Sequence, residues 1–266
     1  MTRVVSGAAL LLLAVSVVWL APALLFLAFA EALLLLAVVE YAALARASGI
    51  AIPAVAAGAA GALTCAAFAR VVSGPLATIP LDVVLMSAFV ALGGLTVARW
   101  QGGRDALGAA AAALLPALYL GLPIGAMVAI REARGREALL LLMLTVSVSD
   151  IAQYYTGRAF GRRALAATIS PKKTIEGAIG GFVFGGLLLA ALGAWWLPAV
   201  PLALRAALGV TVVALGITGD LFESMLKRSA GVKDSSSLIP GHGGVLDRID
   251  ALLFAAPVYY IVMKYV

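Results

Sequence analysis

The sequence predicts an all-α, polytopic integral membrane protein with about nine transmembrane helices. A mean hydropathy of +1.09 is too high for a soluble globular protein. Hydrophobic residues make up 64% of the 266 residues and charged residues only 12%. Apolar runs of about 20 residues, the length of one membrane crossing, follow one another along the chain. The 28 glycines fit helices that pack closely in lipid.

These apolar runs give the predicted position of each span. They lie at 4–21, 23–45, 51–70, 78–98, 107–130, 137–156, 174–197, 203–226 and 248–265. The fifth span contains Pro116 and Pro123 together with Gly121 and Gly125, which can break a helix or make it re-entrant. The sequence therefore leaves open whether the fifth span is a continuous, a broken or a re-entrant helix.

The Lys and Arg residues predict which side of the membrane each loop faces. The polar loops 157–173 and 227–247 are basic, which predicts the cytoplasmic side of a cell membrane and a cytoplasmic N-terminus. Arg131, Arg134 and Arg136 then fall on the opposite side. A split fifth span would remove that conflict.

We expect the chemistry in the second half of the chain. Residues 1–130 form a predicted transmembrane scaffold that could also carry dimer contacts, and residues 131–266 form a transmembrane catalytic region with both polar loops. Glu31 and Glu40 stand out in the scaffold, because acids inside a membrane are functional candidates. Helix–helix hydrogen bonding is the alternative. The net charge of +6 fits anionic headgroups and substrates, so no nucleic-acid partner is expected.

The window from residue 220 to 250 concentrates the charges. It holds the acids Asp220, Glu223, Asp234, Asp247 and Asp250, the bases Lys227, Arg228, Lys233 and Arg248, and the only histidine, His242. Positions 220, 223, 224 and 227 follow the spacing i, i+3, i+4 and i+7, so their side chains share one face of a helix. Residues 230–244 are rich in Gly and Ser and predict a loop.

Acids at the ends of two apolar helices, joined by a basic, Gly-rich loop, suit a metal-bound polyphosphate. Carboxylates are hard oxygen ligands for Mg²⁺, while Lys, Arg and free backbone N–H groups hold phosphates. The simpler alternative is an ordinary charged loop between two spans. A charge inside an apolar helix costs on the order of 2.5–3.5 kcal/mol on insertion scales, which favours a functional site.

A second basic stretch, Ser170-Pro171-Lys172-Lys173, precedes the seventh span. We expect the lysines to stand at the N-terminal start of a helix. There the helix dipole, free N–H groups and two cations together would bind phosphate. Alternatively, these lysines only determine the topology of the span.

Both stretches resemble the signature of the phosphatidate cytidylyltransferases (CDP-diacylglycerol synthases). The first matches at Ser224, Lys227-Arg228, Lys233-Asp234, Pro240, His242-Gly243-Gly244, Asp247-Arg248 and Asp250. The second matches in a G-R-x-F-G segment at 157–161 and an S-P-K-K-T-x-E-G run at 170–177. The chain departs from the family pattern at Ala152-Gln153-Tyr154. Residues 1–130 share only their hydrophobicity and a Glu-containing second span.

The resemblance implies transfer of CMP from CTP to phosphatidate, giving CDP-diacylglycerol and pyrophosphate in phospholipid biosynthesis. It also implies Mg²⁺, a second, unidentified cation at the site, and a homodimer. The attacking phosphate monoester has a second pKa of about 6, so no strong general base is required. The site would face the cytoplasm, which supplies CTP, and phosphatidate would enter laterally between spans.

Each candidate residue receives a role from this resemblance. Asp220 and Asp247 are the expected metal ligands, and together with Lys227 and Ser224 they are the expected catalytic residues. The expected substrate-binding residues are Ser170, Lys172, Lys173, Arg228, Lys233, Asp234, His242, Gly243, Gly244 and Arg248. Glu223, Asp250 and Asp150 are expected to orient the groups that bind metal. For His242, the alternative is a side chain that stabilises a turn.

Three other functions are weighed against this one. A CTP-dependent polyprenol kinase would transfer the γ-phosphoryl group and release CDP. A CDP-archaeol-type synthase would carry out the same transfer on an ether lipid. A transporter would use Asp150, Asp220 and Glu31 as a proton or ion relay, but the sequence shows no inverted hydropathy repeat of the kind that would support it.

Overall fold

The computed structural model describes residues 2–70, 79–102, 105–239 and 241–266, with side chains from residue 7 onward. The first helices are α1 Thr2–Leu20, α2 Ala23–Ala47, α3 Ala54–Ala66, α4 Leu81–Arg99, α5 Ala106–Leu115 and α6 Leu122–Arg134. Then follow α7 Arg136–Phe160, strands β1 Ala164–Ala166 and β2 Ser170–Thr174, α8 Ile175–Trp196, α9 Leu202–Ser229 and α10 Leu246–Tyr265. Residue 78 of the predicted fourth span and Pro240 lie outside the described residues.

These helices confirm an all-α, polytopic membrane protein, and a helix overlaps each predicted span. Six described helices are long and apolar enough to cross a membrane. They are Ala23–Ala47, Leu81–Arg99, Ala106–Arg134, Arg136–Phe160, Ile175–Trp196 and Leu202–Ser229. The count of nine spans is not confirmed. Helix α3 has only 13 residues, and α10 carries four charged side chains.

The fifth predicted span is one helical segment, Ala106–Arg134, and its prolines do not break it. Between α5 and α6 the backbone passes through a π-helical segment, Pro116–Gly121. Proline has no N–H to donate, and a π-helical segment is one way in which an α-helix accommodates such an irregularity. A Cβ on Gly121 would lie 2.6 Å from the carbonyl oxygen of Gly61. Helix α3 therefore docks on this segment by close backbone contact.

The basic junction of α6 and α7 binds the C-terminal end of α1. Arg131 donates from Nε to the Val18 carbonyl (2.8 Å) and from a terminal nitrogen to the Ala21 carbonyl. Arg136 donates to the Trp19 carbonyl at 2.7 Å. The last carbonyls of a helix have no partner within the helix, so these arginines cap α1. This gives two of the three conflicting arginines a structural role without a split fifth span.

Close packing brings the polar ends of α7, α8, α9 and α10 together. A Cβ on Gly181 of α8 would lie 2.6 Å from the side chain of Gln153 on α7. A Cβ on Gly219 of α9 would lie 2.4 Å from the Asp250 carbonyl oxygen on α10. Only glycine leaves room for such an approach between helices.

The polar loop 157–173 is more ordered than the sequence predicted. Helix α7 continues to Phe160, and β1 and β2 then pair as an antiparallel hairpin. Lys172 and Lys173 lie on strand β2, so the expectation that they begin a helix is wrong. Helix α8 begins after them, where Thr174 Oγ1 accepts a hydrogen bond from the Gly177 N–H at 3.0 Å. Threonine is a preferred residue at this capping position.

Candidate active site

The charged residues of the 220–250 window meet at one end of the helix bundle. Lys227 on α9 reaches across to Asp247 in the first turn of α10, and on its own helix it contacts Glu223. Strand β2 adds Lys173, which forms an ion pair with Asp220 of α9. We call these five residues, Lys173, Asp220, Glu223, Lys227 and Asp247, the charged cluster.

Three members of the charged cluster form a buried ion-pair group. The Lys227 ammonium lies 2.5 Å from Asp247 Oδ1 and also contacts Glu223. The Glu223 side chain is fully buried, and one of its oxygens contacts the Lys227 ammonium. Removing one partner of a buried ion pair leaves an uncompensated charge, which costs about 3–5 kcal/mol. The arrangement therefore depends on all three side chains.

Backbone and hydroxyl groups of the loop hold the Asp247 carboxylate. Its Oδ2 accepts hydrogen bonds from the Ser235 N–H (2.9 Å), the Ser235 hydroxyl (2.7 Å) and the Gly244 N–H (2.8 Å). Gly243 has a φ of 77°, and a Cβ there would lie 2.5 Å from Asp247 Oδ2. Glycine is required for both its backbone conformation and this approach.

Asp247 lies at the start of α10, outside the six candidate spans. Burial alone would raise the pKa of its carboxyl. The Lys227 ammonium and the donors from Gly244 and Ser235 outweigh burial and hold that pKa at about 2. Asp247 is therefore anionic at neutral pH.

Asp220 is the centre of a second group of acids. Its Oδ2 contacts Lys173, and its Oδ1 accepts a hydrogen bond from Ser224 at 3.3 Å. The carboxyl groups of Asp150 and Asp250 interact electrostatically with Asp220 and with each other. Three acids from α7, α9 and α10 therefore face one region at the edge of the charged cluster.

Gln153, for which the sequence suggested no role, orients Asp150. Its side-chain nitrogen donates to Asp150 Oδ1 at 3.1 Å and to the Ser149 hydroxyl at 3.2 Å. The only sequence signal is its position one helical turn after Asp150. Gln153, one of the residues that depart from the family pattern, thus lies beside the acids of the candidate site.

Several predicted substrate-binding residues make no ion pair with the charged cluster among the described residues. Lys172, Arg228, Lys233, Asp234 and Arg248 are exposed, and Ser170 lies at the start of β2. The Arg228 guanidinium donates to the Val232 carbonyl at 2.9 Å and so closes the loop. The predicted substrate roles of these residues stay predictions.

His242 lies in a tight turn of the loop. Its N–H donates to the Ile239 carbonyl at 2.9 Å, and the Ile239 N–H donates to the Gly243 carbonyl at 2.8 Å. The imidazole faces α1, since a Cβ on Gly7 would lie 3.3 Å from His242 Nε2. The N-terminal part of α1 therefore lies at the same end of the bundle as the polar loops.

An apolar cavity of about 420 Å³ begins at the acids. Asp150, Asp247, Arg248 and Asp250 line its polar end. The rest of its wall is mostly apolar and comes from α1, α2, α6, α7 and α10. The cavity thus joins a charged region to a hydrocarbon-like one.

A comparison with protein families decides the family of this chain. The model of the cytidylyltransferase family matches residues 1–266. The chain belongs to the cytidylyltransferase family.

Curated relatives of this cytidylyltransferase-family chain carry the name phosphatidate cytidylyltransferase. The protein of Aquifex aeolicus is 41% identical over 127 residues, 47% of this chain and 46% of that protein. The protein of Synechocystis sp. is 48% identical over 126 residues, 47% of this chain and 42% of that protein. The protein of Brucella suis is 39% identical over 200 residues, 72% of this chain and 70% of that protein. The chain thus matches less than half the length of the first two relatives.

Two carboxylates of this cytidylyltransferase-family chain each have an oxygen that can accept a further bond. Among the described residues, no group of three or more His, Cys, Asp or Glu side chains converges closely enough to form a metal site. Mg²⁺ is usually bound through one or two carboxylates together with substrate phosphates and waters. Asp220 and Asp247 each have an oxygen with a single partner in the cluster. A carboxylate oxygen has two lone pairs, so each of these oxygens can accept one more bond.

Proposed function

We propose that this protein transfers CMP from CTP to phosphatidate, forming CDP-diacylglycerol and releasing pyrophosphate. The observation that carries the proposal is that Asp247, a member of the charged cluster of two lysines and three acids, lines the polar end of an apolar cavity. A phospholipid has the same two parts, a phosphate and acyl chains. The cytidylyltransferase family and the names of the relatives favour CTP as the second substrate.

The proposed reaction does not depend on a strong general base. Phosphatidate carries a phosphate monoester with a second pKa of about 6, so it is largely dianionic at neutral pH. One of its oxygens attacks the α-phosphorus of CTP. The new P–O bond replaces the bond to the β-phosphate, and pyrophosphate leaves with that electron pair. The turn-forming position of His242 is compatible with this mechanism, since no proton has to be removed from the nucleophile.

Lys173 and Lys227 supply the positive charge that two polyanionic substrates require. Each ammonium contacts a carboxylate of the charged cluster. A bound polyphosphate offers further anionic partners at the same place, so these lysines can stabilise the charge that moves to pyrophosphate. Asp220 and Asp247 would hold Mg²⁺, which when bound neutralises part of the phosphate charge.

The cavity suggests how the lipid reaches the charged cluster. Its apolar wall is suited to an acyl chain, and its polar end to the headgroup. We infer that phosphatidate enters laterally from the bilayer and that this end of the bundle faces the cytoplasm. The basic residues of both polar loops favour that orientation. A homodimer and a second cation at the site complete the proposal.

A product assay tests this function. Purified protein is incubated with CTP, phosphatidate and Mg²⁺, and we expect pyrophosphate and a CMP-bearing lipid in equal amounts. Asp220→Asn should abolish turnover with folding nearly unchanged, because it removes a charge but keeps the shape. Asp82→Asn, at the exposed start of α4, is the matched control and should retain activity. Release of CDP together with a phosphorylated polyprenol would indicate a kinase and contradict the proposal.

A further inference from the structure

Glu40, in the second half of α2, is a buried acid whose carboxylate binds the loop before α10. Only 4% of the residue is exposed. Its Oε1 accepts hydrogen bonds from the Ser236 hydroxyl (2.7 Å) and the Val245 N–H (2.9 Å). Its Oε2 accepts from the Ser235 hydroxyl (3.0 Å) and the Leu246 N–H (2.8 Å). The carboxylate therefore ties two points of the loop together.

These contacts supply what a buried carboxylate needs. An ionised carboxylate in an apolar environment is very unfavourable unless it is hydrogen-bonded. The N–H groups of Val245 and Leu246 stand at the start of α10, where a helix has unpaired donors and a positive dipole end. Glu40 thus acts as an N-terminal cap for α10, although it comes from a helix about 200 residues earlier.

The absence of a side chain at Gly244 leaves room in the loop for this carboxylate. A Cβ on Gly244 would lie 2.4 Å from both oxygens of Glu40 and 2.2 Å from the Ser235 hydroxyl. No side chain fits at that distance, so glycine is required there for the approach of Glu40. This gives Gly244 a role besides its N–H bond to Asp247.

Ser235 connects Glu40 to the charged cluster. Its hydroxyl oxygen lies 3.0 Å from Glu40 Oε2 and 2.7 Å from Asp247 Oδ2, so its one proton can be donated to either acid. Its own N–H donates to Asp247 Oδ2 at 2.9 Å. The position of the Asp247 carboxylate therefore depends on where Glu40 holds the loop.

We propose that Glu40 is a positioning residue for the transfer of CMP. It holds the Asp247 carboxylate in position, and Asp247 in turn holds the Lys227 ammonium. It acts through Ser235 and through the first turn of α10. This inference rests on the proposed function for its kinetic consequence, but its structural part can be measured without turnover.

The kinetic test uses Glu40→Gln and Glu40→Asp. The Gln side chain keeps one acceptor oxygen, and its amide nitrogen cannot accept, so it can accept the N–H bond of only one of Val245 and Leu246. Glu40→Gln should therefore lower kcat about 10–100-fold, the usual cost of losing a group that orients a ligand. The KM values for CTP and phosphatidate should change little, and the Mg²⁺ concentration for half-maximal activity should rise. Glu40→Asp keeps both acceptor oxygens and should recover part of the loss.

The structural test is amide hydrogen exchange of the loop and the start of α10, measured in detergent without substrates. Glu40→Gln should speed exchange at Val245 and Leu246. The matched control is Glu137→Gln, the same substitution at the partly exposed start of α7, which should leave both exchange and kcat unchanged. Ser235→Ala should lower kcat, while Ser237→Ala, at an exposed position of the same loop, should not.

The outcomes separate this inference from the proposed function. Wild-type kcat and Mg²⁺ dependence in Glu40→Gln would overturn the positioning role. Unchanged exchange at Val245 and Leu246 would overturn the capping contact itself. Absence of a CMP-bearing lipid with the wild-type protein would instead overturn the proposed function. If Glu40→Gln does not fold, Ser235→Ala tests the positioning role instead. Wild-type kinetics in Ser235→Ala would overturn the proposal.

Discussion

Lys227 lies between Glu223 and Asp247, and only 10% of its side chain is exposed. The sequence predicted that Glu223 and Lys227 share one helical face, because they are one turn apart. Helical spacing does not predict the other partner of Lys227, because Asp247 lies on a different helix, α10. We therefore expect both stability and catalysis to depend on Lys227.

We expect Lys227→Met to leave two buried acids without their cation. The free energy of unfolding should fall by about 3–5 kcal/mol. Among the molecules that stay folded, kcat should fall strongly with modest changes in either KM. Thermal unfolding in detergent and steady-state kinetics measure the two effects. Lys264→Met, near the far end of α10, is the control and should match the wild type. An unchanged kcat in Lys227→Met would show that this ammonium does not act on the reacting phosphates.

The adjacent lysines of β2 should differ in their effects. Neighbouring residues of a strand point to opposite faces, and Lys173 pairs with Asp220 while Lys172 is exposed. Lys173→Met should therefore lower kcat, as Lys227→Met does. Lys172→Met should instead raise the KM for one substrate, for which we expect CTP. Kinetics with each substrate varied in turn would separate them, and identical effects of both variants would contradict this assignment.

At the scale of secondary-structure elements, helices were predictable and irregularities were not. Apolar runs located a helix at each predicted span, because burial in lipid requires the period and length of a helix. The run at 170–174 contains a proline and two lysines, a pattern that does not predict a strand. It nevertheless forms strand β2, because it pairs with β1 in an antiparallel hairpin. The π-helical segment Pro116–Gly121 packs closely against α3, and that contact is long-range information.

The contact of α3 with the π-helical segment can be tested with an added methyl group. Gly121→Ala would place a Cβ 2.6 Å from the Gly61 carbonyl oxygen. Overpacking of this kind costs about 1–3 kcal/mol, more than the gain of up to about 1 kcal/mol in helix propensity. We expect a lower temperature of unfolding in detergent. Gly93→Ala on α4, with no atom within 4 Å of the added Cβ, should be neutral or stabilising. Equal stability of both variants would contradict the close packing.

At the scale of the whole molecule, the two halves of the chain meet at the candidate site. Glu40 of α2 binds the loop before α10, and α6 packs on α10. The sequence marked Glu40 as an unusual acid but gave no partner for it, because contacts across about 200 residues leave no local pattern. The division at residue 130 and the homodimer stay predictions. The residues of the charged cluster were all among the predicted candidates, whereas their pairing required the fold.

The position of the label in the lipid product tests the central claim most directly. Purified protein in lipid vesicles with phosphatidate receives Mg²⁺ and CTP labelled at either the α- or the γ-phosphate. Transfer of CMP predicts that the α-label enters the lipid and that the γ-label leaves as pyrophosphate, in equal amounts. Label from the γ-phosphate in the lipid, with CDP as the second product, would contradict the account and indicate a kinase.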